Sequence, residues 1–89
     1  MFEISRTFNL NDQIAFSEIS GDYNPIHLDK LCARRSIFGE IIIHGMHLVL
    51  WALNEKFNNF NNINLSKINV NFLHGVLLNN KVNCISEND

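Results

Sequence analysis

Ser20-Gly21-Asp22-Tyr23-Asn24-Pro25-Ile26-His27-Leu28-Asp29 is the most tightly structured polar stretch of the chain. Five of its first six residues are turn formers, and Pro25 disfavours helix at Asn24. The stretch therefore reads as an ordered loop. It carries a carboxylate, Asp22, and an imidazole, His27, five positions apart. A turn of this kind can aim both groups at one water and divide proton transfer between them. The alternative is that Asp22 makes an Asx turn to its own backbone and His27 is a hydrogen-bonded interior histidine.

Working outward, Phe2, Ile4 and the run Arg6 to Phe8 alternate with polar residues, as a half-buried strand ending at Asn9 does. Asn11 or Asp12 offers an N-cap. Ile14, Ala15, Ser17, Glu18 and Ile19 then follow helical spacing up to Gly21. Beyond the loop, Asp29 can cap a short helix over Lys30, Leu31, Cys32 and Ala33, with Arg34 and Arg35 at its cation-favouring C-terminal end. From Gly45 to Phe57 apolar residues fall on nearly every face, which predicts a helix surrounded by protein and wrapped by a sheet. An Asn-rich connector, Asn58 to Asn64, follows; the chain holds fifteen Asn, a bias that points to no mechanism. Ile68, Val70, Phe72 and His74 alternate with polar neighbours. After Gly75 and the turn pair Asn79-Asn80 come Val82 to Ile85, so two antiparallel strands are expected. The order of elements is that of an α+β fold without internal repeats.

Composition narrows the function. With 89 residues, 46% hydrophobic and 18% charged, the chain is one globular domain, residues 1–89. A net charge of −2 with scattered Lys and Arg leaves no basic footprint for nucleic acid. The longest apolar run, Ile41 to Leu53, is interrupted by His44, Gly45 and His47 and is too short for a bilayer, so no membrane association is expected. Met1 to Arg6 shows no signal-peptide pattern, and Cys32 and Cys84 read as reduced thiols, which together predict a cytoplasmic protein. No serine sits in a nucleophile elbow, and four glycines form no dinucleotide motif. His44 and His47 lack a third ligand of matching spacing, so no metal site is expected.

The ten-residue loop, together with Ile43-His44-Gly45-Met46, resembles the MaoC-like hydratase and dehydratase family, whose type member is the (R)-specific enoyl-thioester hydratase. The weaker flanks Phe16 to Ser20 and Ile68 to Phe72 with Val76 also look like that family. The resemblance implies a hot-dog fold, an antiparallel sheet wrapped round a long central helix. It also implies hydration of a 2-enoyl thioester, or dehydration of a 3-hydroxyacyl thioester, without a cofactor of its own. The substrate would be carried on coenzyme A or acyl carrier protein. Carried over by position, Asp22 would be the general base on water, and His27 its partner, orienting the water and passing a proton to the α carbon. Gly45 would present its N–H to the thioester carbonyl. Asn24, a substrate-positioning candidate, more readily shapes the turn. Arg34 and Arg35 could meet a phosphate-bearing carrier or form a solvated, dipole-complementing pair. His47 with Trp51 would pack or line an acyl tunnel.

The family's sheet has five strands, whereas the third strand counted here is the last before Asp89. The chain is therefore expected to be the N-terminal portion of a hot-dog domain, cut short or completed by a homodimer or a partner chain. An alternative to catalysis is a module that binds acyl thioesters, or assembles within a larger acyl-processing enzyme, without turning them over.

Overall fold

The computed structural model describes residues 2–59 and 66–86. Strand β1 (Phe2–Thr7) buries alternate residues as its sequence requires, and pairs antiparallel with β2 (Lys81–Ser86). The register sets Ile4 opposite Cys84 and Arg6 opposite Val82, so the inward residues of both strands share one face. β2 therefore pairs with the N-terminal strand across nearly the whole chain. Asn79, just before β2, takes φ 66°, a left-handed conformation that Asn tolerates better than most residues, and closes the turn expected there.

Helix α1 (Leu10–Ser20) starts one turn earlier than expected. Its N-cap is Asn9, whose side chain accepts from Asp12 N while the Asp12 carboxylate accepts from Asn9 N, both at 2.9 Å. Asp12 is thus the third helical residue of a reciprocal capping box. Gly21 ends the helix at φ 79°, its N–H donating to Ser17 O. The buried face also differs from the predicted stripe. Gln13, Phe16 and Ser17 point inward, whereas Ile14 is exposed and Ile19 is 83% accessible. Spacing of three and four places those three on one face, and two of them are polar because they serve buried polar neighbours.

A 3₁₀ turn (Pro25–His27) and a short helix α2 (Lys30–Arg34) follow, the latter capped by Asp29 through Leu31 N and Cys32 N. Residues 41–43 run beside 76–78, with Ile43 N donating to Val76 O and Leu78 N to Ile41 O. Helix α3 (Gly45–Asn59) packs Leu48, Trp51 and Ala52 onto Phe8, Ile43 and the inward face of β1 and β2. Trp51 alone of its apolar residues is buried; Met46, Leu50 and Phe57 are exposed, so the helix is sheathed on one side. Two strands make up the sheet among the described residues. The strand expected over Ile68 to Phe72 is instead irregular and solvent-facing, because no strand among the described residues pairs with it there. The Asn-rich connector lies outside the described residues from 60 to 65.

Candidate functional site

The loop is built by short-range hydrogen bonds. Asp22 N donates to Ser20 Oγ, Asn24 N to Asp22 Oδ1 at 3.1 Å, and Ile26 N to Asn24 Oδ1 at 3.2 Å. These are Asx-type bonds, which hold the chain in turns without help from elsewhere. They engage one oxygen of Asp22. The other, Oδ2, lies 3.9 Å from His27 Nε2. The two readings of Asp22 are therefore compatible, since one oxygen shapes the turn and the other faces the imidazole. Asn24 acts on the backbone through its side-chain oxygen.

His27 is buried, and its Nδ1 is 2.9 Å from Ile42 O. A carbonyl can only accept, so Nδ1 carries the proton and the Nε2 lone pair of the neutral ring is left toward Asp22. His44 stacks on His27 with ring centroids 4.0 Å apart. Its Nε2 donates to Asp22 O at 3.1 Å, with Ser17 Oγ at 3.3 Å, and so ties the loop to the start of α3. Its Nδ1 is 3.4 Å from Gln13 Oε1. Burial pushes the His44 pKa below 6.5, opposed by the hydrogen bond to the Asp22 backbone. His47 stacks flat on Phe16 and meets the edge of Phe8, and burial likewise lowers its pKa. Its Nδ1 has no hydrogen-bond partner among the described residues.

Asp22, His27 and His44 offer donor atoms within 4.8 Å of one another. His44 Nε2 is already engaged with Asp22 O, so the groups presented outward are the Asp22 carboxylate and His27 Nε2. They open into a cavity of about 530 Å³ whose walls include Phe16, Ile43, Leu48, Phe72 and Leu73. Gly45, first residue of α3, lines the same cavity, and the N–H groups of Gly45 and Met46 meet no acceptor among the described residues. These are the orphan donors of a helix start, aimed where negative charge is stabilised. A side chain at Gly45 would also come within 2.6 to 2.9 Å of the Phe72 ring, so the position is closed to a Cβ unless that ring moves.

A second cavity, about 540 Å³, lies apart from Asp22 and His27 and is lined by Lys30, Arg34 and Glu40 with apolar residues. Arg35 is exposed and does not line it. Gln13, which holds the site from α1 together with Ser17, escapes a sequence reading that looks for apolar faces; Ser17 falls on the expected stripe. Their signal is a spacing of four between two polar residues that flank Phe16.

The MaoC-like domain model matches residues 1–88. The chain belongs to the MaoC-like domain family. It is 41% identical over 44 residues to a 3-hydroxybutyryl-CoA dehydratase of Methylorubrum extorquens, covering 49% of this chain and 28% of that protein. To the (R)-specific enoyl-CoA hydratase of Aeromonas caviae it is 40% identical over 45 residues, 51% of this chain and 34% of that one. The solved (R)-hydratase from A. caviae superposes with a TM-score of 0.76 at 27% identity, covering 92% of this chain and 64% of that chain. The R-hydratase PhaJ1 from Pseudomonas aeruginosa gives 0.80 at 27%, covering 92% and 54%. The MaoC-like chain thus has the α+β hot-dog fold and spans less than two thirds of each of these relatives. No helix among its described residues is long and apolar enough to cross a membrane.

Proposed function

We propose that the protein adds water to a 2-enoyl thioester, or removes it from a 3-hydroxyacyl thioester, through Asp22 and His27. The observation that carries this reading is the meeting of Asp22 Oδ2 and His27 Nε2, 3.9 Å apart, at a cavity with apolar walls and a helix start. In the hydration direction the thioester carbonyl accepts from the N–H of Gly45, and the acyl chain lies against Leu48 and Phe72. A water held between the two side chains gives a proton to Asp22 as its oxygen bonds to the β carbon. The resulting enolate is stabilised by the helix-start N–H groups. His27, which in the charged pair carries protons on both ring nitrogens, delivers the Nε2 proton to the α carbon and is left as the neutral Nδ1–H tautomer, with Nδ1 facing Ile42 O. Proton return from Asp22 to His27 through a water that bridges their 3.9 Å separation resets the pair. Dehydration is the same path in reverse, and the chemistry needs no bound cofactor.

The substrate would arrive on coenzyme A or an acyl carrier protein, as the names of the relatives suggest. The exposed side of α3 and the solvent-facing Phe72 and Leu73 support a working assembly, a homodimer or a partner chain, that covers them. The test is loss of enoyl absorbance when purified protein meets crotonyl-CoA. A protein-dependent decrease with 3-hydroxybutyryl-CoA as product is expected. Thioester binding with no hydration of any enoyl thioester would favour the non-catalytic module.

A further inference from the structure

We infer that Gln13 is the positioning residue that fixes the orientation and proton tautomer of His27. The inference rests on the Asp22 and His27 reading of the site, and it draws on a different part of the molecule. Gln13 is completely buried, an unusual place for a primary amide on a helix whose neighbouring apolar residues face solvent. Its Nε2 donates two hydrogen bonds of 2.8 Å, one to His27 O and one to Ile42 O. Ile42 O is also the acceptor for His27 Nδ1. One amide thus clamps both the backbone that carries His27 and the carbonyl that orients its ring.

The geometry has a chemical consequence. Ile42 O has two lone pairs, and the two donors it meets here fill both. Water or a shifted backbone would otherwise compete for that carbonyl, freeing the imidazole to rotate or to move its proton to Nε2. A proton on Nε2 of the neutral ring would fill the lone pair that faces Asp22. Without the clamp, the neutral ring left after proton delivery would hold Nδ1–H, the tautomer whose Nε2 can take a proton back from the Asp22 side, only part of the time. Gln13 does not line the cavity, so it acts on the site through the residues it holds, His27 first. Its Oε1 meets His44 Nδ1, which places the second ring of the stack against the same amide.

Gln13→Met keeps the length and volume of the side chain and removes both donors. The direct readout is the His27 ring nitrogens in ¹⁵N-labelled protein. Wild type is expected to show the Nδ1–H tautomer, with slowly exchanging Gln13 amide protons; the variant is expected to show a mixture of tautomers. In crotonyl-CoA hydration the variant should lose roughly 10- to 100-fold in kcat, the scale on which outer groups that orient an imidazole act, with KM little changed. Gln13→Glu, which keeps the shape with an acceptor in place of the donors, should lose as much. Unchanged tautomer and kcat in a folded Gln13→Met protein would overturn the inference. So would an Nε2–H tautomer in the wild type, a result that decides the matter even if neither variant folds. An inactive wild type with His27 held as Nδ1–H would instead sink the catalytic reading and leave the clamp standing.

Discussion

The loop around Asp22 and the segment around Phe72 face each other across one cavity, yet they are held in opposite ways. From Ser20 to Ile26 each turn is closed by a side-chain oxygen two residues from the N–H it accepts, and His27, His44 and Gln13 then lock the loop to α1 and α3. Residues 66–73 hold the alternation of a strand but make no ladder with any of the described residues, and Leu73 is 81% accessible. Local polar bonds need only the chain's own neighbours, whereas a strand needs a second strand beside it. The loop that carries Asp22 and His27 is thus held by its own neighbours, whereas the apolar segment facing it has no strand beside it among the described residues.

This contrast can be broken first at the loop. Replacing His27 by Gln should lower crotonyl-CoA hydration by about 10²- to 10⁴-fold, the usual worth of a positioned acid or base, with thioester binding retained in a titration. At the foot of the site, Phe8 is fully buried between Arg6, His47 and Trp51. Phe8→Ala should cost about 3–5 kcal/mol in urea unfolding. His47→Phe replaces an imidazole whose Nδ1 is unpaired among the described residues and which already packs on two phenylalanines. A gain of about 1 kcal/mol is expected from the same measurement, because a buried polar group without a partner carries its full desolvation cost.

The pH dependence probes the same buried rings. Burial holds His44 and His47 below 6.5, so the unfolded chain takes up protons first as pH falls. Folding stability should therefore be complete above 6.5 and decline as pH drops through that value toward the lowered values of the folded state. Urea midpoints at about pH 8 and about pH 5 test the sign, and a higher midpoint at the acid end would contradict it. The smallest effect belongs to the open segment. Leu73→Ser should change stability by less than about 0.5 kcal/mol, and a larger loss would show that 66–73 packs more firmly than its exposure implies.

The sequence was most readable where structure is made by neighbours. Asp22, Asn24 and Pro25 announce their turn, Gly21 stops α1, and Asp29 caps α2, each through a bond within three residues or a local dihedral preference. The same loop allows Asp22 and His27 to approach each other, but their spacing leaves open whether they do; in the structure Oδ2 and Nε2 lie 3.9 Å apart. Readings failed where a distant partner decides. Gln13 faces inward because His27 and Ile42 lie across from it, and nothing within α1 states that. The pairing of β2 with β1 is likewise invisible to alternation, which tells a strand's faces and not its neighbour. Asn11 and Asp12 both fit an N-cap by residue type, yet Asn9 caps α1 and Asp12 is the third residue of its capping box, a role an acid at a helix start fills equally well.

The central claim is that one small volume sees both the carboxylate of Asp22 and Nε2 of His27. Titration with butyryl-CoA, a saturated thioester that cannot take up water, measures this in protein labelled for NMR at Asp carboxyl carbons and His ring nitrogens. Both resonances should move along one binding curve, together with the Gly45 amide. If the ligand binds while either the Asp22 carboxyl or His27 Nε2 stays where it was, the two groups do not share a site and the account is wrong.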